Sequence, residues 1–270
     1  MPPMTVTRVT LAGLALLGIG GASSAQSVDL RTARVVDLTH PFDAKTIYWP
    51  NAPSTFELKR LHFGPTEAGY FYSANSFCTP EHGGTHLDAP IHFAEGKPAV
   101  DQVPLEKLIG PAVVIDVTRQ AAADPDYRLS LEDVRAWEKR RGQVPPGALV
   151  LLRTGWSARW PDKKRYLGAD TPGDASRLHF PAYGKESAQF LVETRGVGAL
   201  GVDTASIDYG PSKDFIVHRV ANGAGVPGLE NLAHLEALPE VGAWLVALPM
   251  KIAGGSGAPL RAVAFIPGSR

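Results

Sequence analysis

Apolar runs and segments of helical periodicity alternate along most of the chain. Residues 111–117 form a continuous apolar run bounded by Gly110 and by polar residues, which indicates a buried strand. Residues 148–154 form a second buried run of this kind. Shorter runs predict further strands, over residues 34–38, 198–202, 244–248 and 262–266.

Two segments between these runs carry helical signals. Ser130 and Asp133 form a candidate capping box, apolar residues follow at helical spacing, and Gly142 ends the predicted helix. Residues 185–194 also carry apolar residues at helical spacing. Strands that alternate with helices indicate an α/β domain built around a central sheet. The segment 48–72, rich in proline, glycine and aromatic residues, shows no clear period.

The first residues follow a different pattern. Arg8 precedes an apolar run over residues 9–19, and small residues ending in Ala25 follow. The run is much shorter than the ~20 residues that span a bilayer, so we predict a cleaved secretory signal peptide over residues 1–25 and no stable membrane anchor. Residues 26–270 contain no dividing linker, so we predict a single domain that is periplasmic or secreted.

Charge and cysteine content narrow the possible functions. The 27 Lys and Arg residues balance the 27 Asp and Glu residues, so no basic surplus is available to hold a nucleic-acid backbone. The single cysteine, Cys78, excludes an intrachain disulfide and a cysteine-rich zinc module. We therefore expect a small-molecule partner and no nucleic acid.

One segment concentrates candidate metal ligands. Residues 82–92 contain three of the eight histidines and one aspartate. In an extended chain His86 and Asp88 point the same way because side chains alternate, whereas His82 lies about 13 Å from His86 at ~3.3 Å per residue. The glycine pair after His82 permits a turn that brings it back. We predict a loop, a turn and a strand that hold His82, His86 and Asp88 around a divalent metal.

Three ligands leave coordination positions open, which is typical of a catalytic metal site. His92 lies beyond Pro90, which changes the chain direction, so we expect it near the site but not as a ligand. A free histidine there can act as general base and acid. His218 and Glu230 are further candidate donors, predicted on a loop rich in glycine and proline, and they gain weight only from pairing with the first cluster.

The sequence of residues 82–92, HGGTHLDAPIH, resembles the signature of the metal-dependent cyclase family, which includes bacterial kynurenine formamidase and isatin hydrolase. Softer blocks of the family pattern occur in order, at residues 36–41, 49–50, 153–156, 201–208 and 257–261. The resemblance implies a swivelling β/β/α fold around a mixed, barrel-like sheet and a homodimer or homotetramer. It also implies hydrolysis of an amide-type C–N bond, in an aryl formamide such as N-formylkynurenine or a cyclic amide such as isatin.

The resemblance assigns roles to individual residues. It implies five metal ligands: His82, His86, Asp88, His218 and Glu230. Asp88 would bridge a second ion, His92 would be the catalytic histidine outside the ligand set, and Trp49 would lie against the substrate ring. Zinc and manganese both occur in the family, with one or two ions per subunit.

Other functions remain as alternatives. A lactone or ester hydrolase of the same family would use the same site, and a non-catalytic periplasmic metal-binding protein would retain only the ligands. A serine hydrolase is disfavoured because residues 254–258, GGSGA, fail the Gly-x-Ser-x-Gly motif at its last position. A cysteine nucleophile would have to be Cys78. The predicted signal peptide separates this chain from the cytoplasmic tryptophan breakdown in which kynurenine formamidases of the family work.

Overall fold

The computed structural model describes residues 29–268, and the predicted signal peptide lies outside them. The strands of the described part are β1 (Arg34–Asp37), β2 (Glu57–Pro65), β3 (Phe71–Cys78), β4 (His86–Asp88), β5 (Ile109–Asp116), β6 (Arg128–Leu129), β7 (Leu149–Arg153), β8 (Ala182–Tyr183), β9 (Ala199–Val202), β10 (Gly228–Glu230), β11 (Ala243–Pro249) and β12 (Gly257–Ile266). Its α-helices are α1 (Thr118–Ala123), α2 (Leu131–Arg141), α3 (Lys163–Leu167), α4 (Lys185–Gln189) and α5 (Ile216–Gly223). Among these residues no helix is long and apolar enough to cross a membrane.

Seven of the strands form a closed, mixed sheet. Hydrogen-bonded neighbours follow in the order β12, β11, β5, β7, β9, β10 and β4, and β4 pairs again with β12 to close the ring. The strands from β5 to β10 in this order run parallel, and the other pairs are antiparallel. β1 extends the sheet outside β12. The predicted swivelling β/β/α fold with a mixed, barrel-like sheet is therefore confirmed.

Alternate residues of the central strands pack into two separate cores. In β5, Val114 joins the core enclosed by the sheet, whereas Val113 and Ile115 join the core beneath the helices. In β7, Leu151 faces the enclosed core and Leu152 faces the helices. Burial on both faces explains why these strands appear as continuous apolar runs in the sequence.

The predicted capping box at the start of α2 is present. Ser130 Oγ accepts a hydrogen bond from the Asp133 backbone N–H at 3.1 Å, and the Asp133 carboxylate accepts one from the Ser130 N–H at 2.9 Å. Gly142 follows the helix with a φ of 90°. The Trp137 indole N–H donates to the Val114 carbonyl oxygen at 2.9 Å, which ties α2 to the sheet.

The other predicted elements are present with shifted ends. The predicted strand 111–117 begins at Ile109, and the predicted strand 262–266 begins at Gly257. The predicted helix 185–194 consists of α4 and a π-helical segment, Phe190–Thr194.

The sequence pattern did not predict the ribbon formed by β2 and β3. These strands pair only with each other among the described residues. The register shifts between Arg60 and His62, and this bulge interrupts the alternation of apolar and polar side chains in β2. Because the period is interrupted, the sequence pattern of residues 48–72 does not indicate β2 or the start of β3.

Candidate active site

The glycine pair of the histidine motif turns the chain immediately before β4. Gly84 has a φ of 57°, in the left-handed region that favours glycine. Gly83 packs so closely on Tyr48 that a Cβ there would lie 2.1 Å from the ring atom Cδ1. His86 and Asp88 then meet on one face of β4, with His86 Nε2 3.1 Å from Asp88 Oδ1. The predicted loop, turn and strand are therefore present.

The first group of clustered donors consists of His82, His86 and Asp88. His82 Nδ1 lies 2.6 Å from Asp88 Oδ1, the same oxygen that His86 approaches. His86 and Asp88 are buried, and His82 is partly exposed. The glycine turn therefore brings His82 next to His86 and Asp88 of β4, as predicted from the distance that an extended chain would leave between them.

The second group consists of Asp88, His218 and Glu230. His218 Nε2 lies 3.0 Å from Asp88 Oδ2 and 3.2 Å from Glu230 Oε1. The prediction that His218 and Glu230 lie on a loop is wrong, because His218 belongs to α5 and Glu230 ends β10. Glu230 pairs directly with His86 across the sheet. Gly223 at the end of α5 and Gly228 at the start of β10 gave this segment the composition of a loop, so neither short element was predicted.

The donor set fits a divalent cation. Asp88 is common to both groups, and within each group the donor atoms lie within 4.8 Å of one another. Nitrogen and carboxylate donors suit Zn²⁺ and Mn²⁺. Asp88 and Glu230 are both buried, and a buried carboxylate is costly unless a cation or hydrogen bonds compensate its charge. A divalent ion would provide that compensation.

The pKa values of the cluster follow from the same charges. Burial raises the pKa of Glu230, and the nearby Asp88 carboxylate raises it further. Burial would lower the pKa of His86, but Asp88 and Glu230 outweigh burial and raise that pKa to about 9. The pKa of His218 is also raised, because hydrogen bonds to Asp208 and to the cluster carboxylates outweigh burial. The cluster therefore attracts positive charge.

Hydrogen bonds orient the two buried histidines. His86 Nδ1 lies 3.0 Å from the Gly84 carbonyl oxygen, and His218 Nδ1 lies 2.7 Å from Asp208 Oδ2. Donation from each Nδ1 leaves each Nε2 to face the carboxylates of the cluster. Asp208 also accepts the His218 backbone N–H at 3.0 Å. The role of Asp208 was not predicted from the sequence, because no local pattern marks its contact with α5.

His92 lies beside the cluster but belongs to neither group of clustered donors. It ends the short 3-10 helix Pro90–His92 and lines the same cavity as the cluster. Burial lowers the pKa of His92 to about 4, so its imidazole is neutral at pH 7. A neutral histidine in this position can accept a proton.

A cavity of about 440 Å³ borders the cluster. All five candidate ligands and His92 line it, and much of the remaining wall is aromatic, including Trp49, Phe93 and Phe215. The Trp49 ring centroid lies 6.2 Å from that of Phe180 and 6.3 Å from that of Phe215. Apolar walls with a few convergent polar groups are typical of a small-molecule site.

A serine also reaches the cluster. Ser256 Oγ lies 2.8 Å from His82 Nε2, and His82 Nδ1 contacts Asp88, which is the atom order of a serine hydrolase triad. Ser256 lies outside the cavity wall, however, and its Oγ is 2.6 Å from Glu81 Oε2. Cys78, exposed at the end of β3, also lies outside that wall. A substrate in the cavity therefore meets the histidine and carboxylate cluster.

Known proteins resemble this chain in sequence. The family model Cyclase, described as "Putative cyclase", matches residues 36–209. A curated isatin hydrolase from Roseibium aggregatum is 35% identical over 207 residues, which cover 74% of this chain and 77% of the relative. A kynurenine formamidase from Salinibacter ruber is 28% identical over 236 residues, which cover 85% of this chain and 96% of the relative.

Solved structures show the same relationship. An isatin hydrolase bound to the product analogue thioisatinate matches with a TM-score of 0.79 and 30% identity, covering 88% of this chain and 94% of that one. Isatin hydrolase A from Ralstonia solanacearum matches with a TM-score of 0.77 and 34% identity, covering 87% and 92%. The chain therefore belongs to the cyclase family of metal-dependent amide hydrolases.

Proposed function

We propose that this chain hydrolyses a small aromatic amide, either an aryl formamide such as N-formylkynurenine or a cyclic amide such as isatin. The observation that carries the proposal is Asp88, which joins two groups of metal-ligating atoms at the wall of an aromatic cavity. Relatives named isatin hydrolase and kynurenine formamidase support this substrate class.

Five residues are assigned as ligands of one or two divalent ions, Zn²⁺ or Mn²⁺: His82, His86, Asp88, His218 and Glu230. A bound ion would supply an activated water and polarise the carbonyl oxygen of the substrate. The protein contributes a preorganised donor set, because Asp208 and the Gly84 carbonyl fix two of the three imidazoles before any ion arrives.

His92 is assigned as the general base and acid. Its neutral imidazole accepts a proton from the attacking water and returns that proton to the nitrogen that leaves when the C–N bond breaks. Trp49 and Phe215, whose rings contact each other in the cavity wall, would pack on the aromatic ring of the substrate. That packing would hold the carbonyl carbon beside the cluster.

Two alternatives keep the same ligands. A lactone or an ester presents the same carbonyl chemistry and differs only in the leaving group. A non-catalytic metal-binding protein would use the ligands alone. The aromatic cavity and the spare histidine support catalysis over metal storage, since storage requires neither feature.

We further propose that the protein acts in the periplasm or outside the cell, after removal of residues 1–25. The basic residue, apolar run and small residues at the N-terminus support this location. N-terminal sequencing of protein purified from the periplasmic fraction should begin at or near Gln26. A chain that retains Met1 would contradict the proposal.

The deciding experiment compares hydrolysis of N-formylkynurenine and isatin by protein stripped with a chelator, before and after addition of Zn²⁺ or Mn²⁺. Activity restored by metal on either compound would support the proposal, and the preferred compound would define the subgroup. Iodoacetamide and phenylmethylsulfonyl fluoride should leave the restored activity intact, because Cys78 and Ser256 lie outside the cavity wall. Metal binding without turnover on amides, lactones or esters would favour the metal-binding alternative.

A further inference from the structure

The glycine-rich segment 254–258, which fails as a serine hydrolase motif, contacts the cluster from behind. Ser256 Oγ lies 2.8 Å from His82 Nε2 and 2.6 Å from Glu81 Oε2. The Ser256 backbone N–H donates to the same Glu81 oxygen at 3.0 Å. Its flanking glycines allow this approach. A Cβ at Gly255 would lie 2.9 Å from Glu81 Oε1, and one at Gly257 would lie 2.6 Å from His82 Cε1.

The donors and acceptors of this chain of contacts fix its direction. A carboxylate oxygen accepts hydrogen bonds, so the Ser256 hydroxyl donates its single proton to Glu81. Ser256 Oγ can then only accept from His82, and His82 must carry a proton on Nε2. The Nδ1 of a neutral His82 is consequently left with its lone pair directed toward Asp88 and the cluster.

We infer that Glu81 and Ser256 are positioning residues that hold His82 in the tautomer required to bind a metal through Nδ1. This inference rests on the proposed metal site. It fixes the tautomer of the partly exposed His82, as Gly84 and Asp208 fix the tautomers of the two buried histidines, although those two face the cluster with Nε2 and His82 faces it with Nδ1. Partners of this kind typically contribute 10–100-fold to metal affinity.

Metal affinity of the full-length protein, measured by competition with a chromophoric chelator, tests the inference. Ser256→Ala and Glu81→Leu should each weaken Zn²⁺ binding by about 10–100-fold. Glu81→Gln is the matched control, because its amide oxygen can still accept from Ser256, and it should bind Zn²⁺ nearly as tightly as the wild type. The melting temperature of the metal-free variants separates this effect from a general loss of stability.

The possible outcomes separate this inference from the proposed function. Wild-type protein that binds no Zn²⁺ would contradict the metal site itself. Tight binding by the wild type, with unchanged affinity in Ser256→Ala, would overturn only the positioning role. Equal losses in Glu81→Gln and Glu81→Leu would show that the charge of Glu81, and not the direction of the hydrogen bonds, is what matters.

Discussion

The imidazole rings of His82 and His92 stack face to face, with centroids 3.8 Å apart and planes 18° apart. Of these two histidines only His82 belongs to a group of clustered donors, with its Nδ1 2.6 Å from Asp88 Oδ1. The two touching rings therefore occupy different chemical positions. The stacking holds His92 beside the cavity without drawing it into the ligand set. This separation makes their roles experimentally distinguishable.

Replacing His92 by alanine should preserve metal binding and remove the proton carrier. We expect metal content close to that of the wild type and a turnover number lower by ~10²–10⁴, the usual contribution of general acid–base catalysis. Metal analysis and steady-state kinetics on the best substrate would measure both quantities. Loss of metal in His92→Ala would show that the division of roles between the stacked histidines is wrong.

Asp88 and His218 should differ in their effect on metal stoichiometry. Asp88 touches both groups of donors, so Asp88→Ala should lose all tightly bound metal. His218 belongs to one group, so His218→Ala should lose at most the ion of that group and retain the site of His82 and His86. Metal analysis after gel filtration would check this. Full stoichiometry in Asp88→Ala would exclude Asp88 as a ligand.

Trp49 should control the preference for aromatic substrates. Its ring forms part of the cavity wall and contacts Phe180 and Phe215. Trp49→Leu should lower kcat/KM for an aryl formamide by about 3–10-fold, mainly through KM, because a stacked ring pair contributes ~0.5–1.5 kcal/mol. An alkyl formamide serves as the control substrate and should be hardly affected. Equal losses on both substrates would point to a general disturbance of the cavity.

Asp203 should make folding stability depend on pH. Burial raises its pKa from 3.8 to about 6, although its carboxylate accepts hydrogen bonds from the Thr154 and Gly155 backbone N–H groups. Because the pKa of Asp203 is higher in the folded than in the unfolded protein, its contribution to the free energy of unfolding is fully present below the unfolded-state pKa. That contribution is lost as the pH rises through 6. The loss amounts to about 3 kcal/mol.

Asp203→Asn provides the reference, because its side chain does not titrate. The unfolding free energy of the wild type minus that of Asp203→Asn should fall as the pH rises from 4 to 7, as measured by urea denaturation of metal-free protein. A constant difference over this range would mean that Asp203 is ionised throughout in the folded protein.

The features that could be predicted from the sequence are those controlled by local geometry. Apolar runs in β5 and β7 marked strands buried on both faces, and Ser130 with Asp133 marked the start of α2. The convergence of His82, His86 and Asp88 also followed from the sequence. Strand periodicity and a glycine turn constrain residues so close in the chain, whatever the rest of the fold does.

The rest of the site depends on contacts between distant segments, which are visible only in the folded protein. Glu230 lies beside His86 because β10 pairs with β4. His218 lies on α5, a helix in a segment that the sequence pattern predicts as a loop. Asp208 contacts His218 and Ser256 contacts His82, and no local sequence pattern predicts either contact. Such contacts depend on sheet register and on packing between distant segments, and that information is spread over the whole chain rather than carried by any one motif.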